Sequence, residues 1–117
     1  MRLAITLLTV LASAATASAF TKYPDKDGSW QYVEMPSAAY THAYEGELRM
    51  HLLSRAEVFD ICRYETGLDA PQFLGCAVTW PIACDVYVVA DLLEPLRGTV
   101  TRHEIAHCNG WPGDHPP

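Results

Sequence analysis

Two histidines four residues apart with a glutamate between them, in the run His103-Glu104-Ile105-Ala106-His107, are the residues of this chain best suited to chemistry. On a helix, positions i and i+4 share a face one turn apart, so both imidazoles can reach one ion while Glu104 projects beside them. Neutral imidazoles suit Zn2+, and with a third protein donor they leave a fourth position for water. Such a water has its pKa lowered to about 7, and a neighbouring carboxylate can take its proton while the substrate carbonyl is polarised. The chemistry would be hydrolysis, with His103 and His107 as metal ligands and Glu104 as general base.

A helix can also carry two histidines for no chemical purpose. Three features of the following residues count against that. Gly110 stands where a left-handed residue can end the helix and reverse the chain. Trp111-Pro112-Gly113-Asp114 has Pro and Gly at the centre of a type II turn. Such a bend carries two more donors, Asp114 and His115, back over the helix. His42 and His51 stand apart from the motif and read as solitary polar histidines.

The run HEIAHCNG resembles the HExxHxxG core of the zincin metallopeptidases, above all the metzincin-like branch. The likeness covers about a dozen residues directly. It implies His103 and His107 as ligands, Glu104 as catalytic base, and a strand before the zinc helix whose edge binds an extended peptide, a role that would fall to Cys84–Ala90. The chain departs from the family pattern where a metzincin has its third histidine: it has Gly113, with Asp114 and His115 one and two places later. Both therefore stand as the third ligand, His115 ahead of Asp114 because imidazole is the commoner partner. No methionine follows the motif to form the methionine turn of that branch, and no later glutamate replaces it.

The elements that must position these residues are legible from Leu48 onward. Leu48, Met50 and Leu52 alternate with Arg49 and His51, the period of a half-buried strand. Ser54 and Glu57 form the pattern of a capping box, predicting a helix from Arg55 to about Glu65 that ends at Gly67, with Ala56, Phe59 and Ile61 or Cys62 inward. Leu74–Thr79 and Cys84–Ala90 are apolar, β-branched runs joined by Trp80-Pro81-Ile82-Ala83, which suggests a strand pair. A second helix is expected over Thr99–Cys108, with Thr99 as N-cap and Asn109-Gly110 as the stop. Residues 20–47 offer only Trp30–Met35 as strand-like. The fold class is α+β: a small antiparallel or mixed sheet packed against a backing helix and a zinc-binding helix, in a minimal zincin-like arrangement.

The first residues read as a leader. Arg2, the apolar run Leu3–Ala12 and Ala17-Ser18-Ala19 match a secretory signal peptide cleaved after Ala19, leaving residues 20–117 as one domain of 98 residues, secreted or periplasmic. Of eight Lys and Arg, Arg2 lies in the leader, so the mature part sets seven against fourteen Asp and Glu, a net charge of −7. That balance argues against nucleic acid or an anionic membrane surface as partner. Cys62, Cys76, Cys84 and Cys108 read as two disulfides in an exported chain. Cys76 and Cys84 flank the strand connection closely, which pairs them and leaves Cys62 for Cys108. Tyr40, Tyr44 and Tyr87 could assist an oxyanion but read first as core aromatics, and Asp85 or Asp91 could orient the outer histidine nitrogens. The expected function is a zinc-dependent hydrolase acting on peptide or protein. The alternative is a non-catalytic zinc-binding or disulfide-stabilised interaction domain.

Overall fold

The computed structural model describes residues 19–117, so the expected leader lies, apart from Ala19, outside the described residues. The elements run β1 (Ala19–Pro24), β2 (Trp30–Met35), a 3-10 turn (Ala38–Tyr40), β3 (Glu47–Leu53), α1 (Arg55–Thr66), β4 (Gly75–Thr79), β5 (Ala83–Val89) and α2 (Leu96–Cys108). The fold is α+β, with β1 and β2 as a separate hairpin and a mixed three-stranded sheet of order β3-β5-β4. β5 runs parallel to β3 and antiparallel to β4.

Local signals set most of these boundaries. Ser54 accepts from the Glu57 amide while the Glu57 carboxylate takes the Ser54 amide, completing the capping box of α1. Gly67, at φ 68, ends the helix in the left-handed region that glycine enters without steric cost. Cys62 is buried and Phe59 half-buried as expected, while Val58 takes the inward place expected of Ala56, which is exposed. α2 starts at Leu96, three residues before the expected N-cap. Thr99 is inside it and fully buried, its hydroxyl donating back to Pro95 O at 2.9 Å, so it cannot cap the helix. The Glu94 carboxylate accepts from the Gly98 amide instead, satisfying one of the donors left free at the helix start.

β5 is buried along almost its whole length, which fits a central strand covered on both faces. The two disulfides show how. Cys62 bonds Cys76 and Cys84 bonds Cys108, with Cα–Cα distances of 5.7 and 5.8 Å. The expected Cys76–Cys84 and Cys62–Cys108 pairing is thus corrected. Cys76 lies opposite Tyr87 and Cys84 opposite Thr79. The two cysteines are therefore three ladder steps apart, roughly 10 Å, and face opposite sides of the sheet, beyond the reach of a disulfide. Each bridge instead fastens one helix to one face, α1 through Cys76 and α2 through Cys84. Val58, Val86, Val88, Leu96 and Val100 belong to the core so enclosed.

The β1–β2 hairpin had no expected partner for Trp30–Met35. Its turn is held by Asp25, whose N–H donates to Ser29 O, whose carbonyl accepts from Gly28 N–H, and whose fully buried carboxylate accepts from Arg55 at 2.9 Å. The Arg55 guanidinium holds that carboxyl below the usual range. This ion pair ties the hairpin to α1, while β2 also packs against α2. No helix among the described residues is long and apolar enough to cross a membrane, and two disulfides suit an oxidising compartment.

Candidate metal centre

α2 carries an unusual inward stripe. Leu96, Val100 and Glu104, spaced by four, are buried along one side of it, so an acidic side chain occupies a core position. It fits because β4 offers Gly75 there. A Cβ added at Gly75 would come within 2.7 Å of Tyr87 O and 3.3 Å of Glu104 Cγ, so only glycine lets the helix and its glutamate sit this close to the strand. Burial pushes the Glu104 carboxyl up to about 8. The same helix turn holds His103 and His107, whose rings lie 5.0 Å apart.

Beyond Cys108 the chain reverses as a Schellman motif: Trp111 N–H donates to Ala106 O and Gly110 N–H to His107 O, both at 3.0 Å, with Gly110 at φ 96. The following turn closes one residue later than expected, His115 N–H donating to Pro112 O, and Gly113 is not left-handed. Trp111 O accepts from His107 Nδ1 at 2.7 Å, so it faces the helix and the turn closes on Pro112 O. Trp111 itself is buried beneath the imidazoles, ring centroids 4.6 to 5.0 Å away, and its indole N–H donates to Pro116 O. The tail is thereby laid back over α2.

The result gathers His103, His107 and His115, whose donor atoms lie within 4.8 Å of one another. Asp114 lines the neighbouring groove and is exposed, outside this group. His51 sits on the other face of the sheet, stacked on Tyr87 and bonded to Asp85, and His42 is exposed in the loop before β3. No tyrosine lines the groove among the described residues. Asp85 accepts from Arg49, His51 and Trp80, and Asp91 pairs with Arg55, so neither orients the clustered imidazoles.

That task falls to groups with no motif to announce them. His103 Nδ1 donates to Glu34 O, His107 Nδ1 to Trp111 O, and His115 Nδ1 meets Glu34 Oε2 at 3.1 Å. A carbonyl can only accept, so the outer nitrogens of His103 and His107 carry the proton, and a neutral ring then has a bare lone pair on Nε2. These lone pairs point at each other: His107 Nε2 is 3.3 Å from His103 Nε2 and 3.0 Å from His115 Nε2. Burial pushes the His103 ring down to about 4 and lowers that of His107, so these two rings favour the neutral form that offers a lone pair to a cation. Donors about 2.0–2.1 Å from a tetrahedral zinc ion stand roughly 3.3 Å apart, close to the spacings observed. The three histidines can therefore hold a metal ion. Glu104 Oε1 lies 4.0 Å from His103 Nε2, beside the donor cluster without belonging to it.

The centre opens on a groove of about 920 Å³ lined by Leu68 and Phe73 before β4, by Gly75, Ala77 and Thr79 of β4, and by Gly113 and Asp114 of the tail. β4 is the edge strand here, which corrects the assignment of that role to Cys84–Ala90: β5 is central, flanked by β3 and β4. The ladder bonds of β4 can be counted from its ends, where Val89 N–H donates to Leu74 O and Trp80 N–H to Ala83 O. Alternation along an antiparallel pair then directs residues 74, 76, 78 and 80 toward β5, and the N–H and C=O of Gly75, Ala77 and Thr79 toward the groove. Searches of family models, of curated proteins and of solved structures gave no match to this chain, so the site is read from its own geometry.

Proposed function

We propose that this protein is an exported zinc-dependent hydrolase acting on peptide bonds, a small relative in kind of the zincin metallopeptidases. The observation that carries the reading is the convergence of three Nε2 lone pairs next to a buried glutamate that is not one of them. Three histidine donors favour zinc and a catalytic role, since structural zinc sites use four protein ligands and catalytic ones leave a position open. When bound there, the ion lowers the pKa of water and polarises a carbonyl.

The chain's own residues supply the rest. Glu104, a buried carboxyl 4.0 Å from His103 Nε2, is placed to accept a proton from water once a cation beside it favours its charged form, and to return that proton to the leaving amine nitrogen as the C–N bond breaks. The groove-facing N–H and C=O groups of Gly75, Ala77 and Thr79 can pair with an extended peptide, which fixes its backbone beside the imidazoles and leaves its side chains to Leu68 and Phe73. A peptide substrate suits this edge better than a compact small molecule. The two disulfides and the leader-like residues 1–19 support export.

The test is metal content and peptide hydrolysis on the purified protein. The expected result is close to one zinc per chain, with Glu104→Gln keeping the zinc and losing about 10²-fold or more in hydrolysis. Hydrolysis undiminished in that variant would remove Glu104 as the base, and a chain without zinc would remove the reading altogether.

A further inference from the structure

The three imidazoles are not held in equivalent ways. His103 and His107 stand on a continuous helix, and their outer nitrogens donate to backbone carbonyls, whose positions the fold fixes. His115 lies beyond the helix with φ 54, a left-handed conformation that a residue with a Cβ adopts only at a steric cost. Its backbone is held by the bond to Pro112 O and by the Trp111–Pro116 contact beside it. Its ring has one polar partner besides the other imidazoles: the Glu34 carboxylate, on Nδ1.

Glu34 belongs to β2, 69 residues before His103 in sequence, and it acts twice. Its carbonyl accepts a hydrogen bond from His103 Nδ1–H and its carboxylate one from His115 Nδ1–H. The carboxylate is only 15% exposed, so it meets His115 with little competition from water. It faces Nδ1, the side of the ring away from the convergent Nε2 atoms, so it is placed to orient a ligand and not to be one. A carboxylate so placed fixes the tautomer of the imidazole, fixes its direction and raises its basicity toward a cation.

We infer that Glu34 is a positioning residue of the metal centre, whose carboxylate aims His115 so that its Nε2 completes the donor set. The inference rests on the metal-centre reading and is independent of hydrolysis. The hairpin β1–β2 is then part of the site's construction: it brings one residue between two ligands that the helix and tail cannot align by themselves.

The experiment measures zinc affinity by competition with a chromophoric chelator, using zinc ion alone as probe, on the wild-type chain, Glu34→Gln, Glu34→Ala, His115→Ala and the Glu34→Ala/His115→Ala double variant. Glu34→Ala should weaken zinc binding by about 10–100-fold, the usual effect of losing an outer partner of a ligand. Glu34→Gln keeps the shape and an accepting oxygen but lacks the charge, and should fall between wild type and Glu34→Ala. In the His115→Ala background the Glu34→Ala change should have no further effect, because its route to the ion is gone. Unchanged affinity in Glu34→Ala overturns the proposal, as does an equal loss in both backgrounds, which would mark a merely structural effect. If Glu34→Ala fails to fold, wild-type affinity in Glu34→Gln overturns the charge-based role. Absence of zinc binding in the wild type overturns the metal centre itself and this role with it.

Discussion

Replacing Glu104 by Gln gives the sharpest test, because one substitution should damage catalysis while strengthening the metal-free fold, and the second effect has a defined pH dependence. Glu104 is buried against Gly75, and with no ion present its carboxyl is pushed from an ordinary 4.5 up to about 8. A group whose folded pKa is raised contributes stability that is fully present below its unfolded pKa and is lost as pH rises through the folded value. Between about 4.5 and 8 the unfolded chain therefore ionises Glu104 while the folded chain resists doing so, and the folded state loses ground steadily. At neutral pH the difference is on the order of 3 kcal/mol, taking 1.36 kcal/mol per pH step across the gap. Gln is neutral throughout and escapes it. Thermal unfolding followed by circular dichroism in chelator should show the two proteins converging near pH 4.5 and diverging toward pH 8. At neutral pH Glu104→Gln should melt about 12–24 °C higher, since 1 kcal/mol moves a domain of this size by roughly 4–8 °C. The His103 and His107 contributions change both proteins alike and cancel in the difference. Adding zinc should shrink the gap, because a cation beside the carboxylate favours its charged form. A constant offset at all pH values, or a wild type that is the more stable at pH 8, would refute the placement of Glu104 as a buried, unpaired acid.

Other outcomes follow from the same geometry. His115→Ala should cost more zinc affinity than the roughly 10–100-fold expected from an outer partner, whereas Asp114→Ala should leave it unchanged, as metal titration of both variants would show. Ala77→Pro removes an N–H that points into the groove and not into the ladder, so the fold should survive while kcat/KM for a peptide falls by about fivefold or more, the worth of one hydrogen bond. Either disulfide, removed by paired Cys→Ala changes, should cost about 3 kcal/mol in denaturant unfolding, but only loss of Cys84–Cys108, which anchors the end of α2 next to His107, should also weaken zinc binding.

Features that depend on neighbours along the chain can be read from the residues alone. His103 and His107 share a face because a helix has a fixed pitch, Ser54 and Glu57 cap α1 because they are three residues apart, and Gly67 and Gly110 end helices because glycine tolerates a left-handed backbone. Strands β4 and β5 were legible as β-branched apolar runs. Which of the adjacent Asp114 and His115 joins the cluster is set by long-range packing, because the tail is laid over α2 by the Trp111 and Pro112 contacts. The tertiary structure also decided the disulfides, through ladder register and sheet face, and made β4 the open edge, through the parallel placement of β3 beside β5. Glu34 is the extreme case. Nothing near it in the sequence resembles a metal site, because its role comes from a hairpin packed against a helix far along the chain, and long-range packing leaves no periodic trace in the residues that make it.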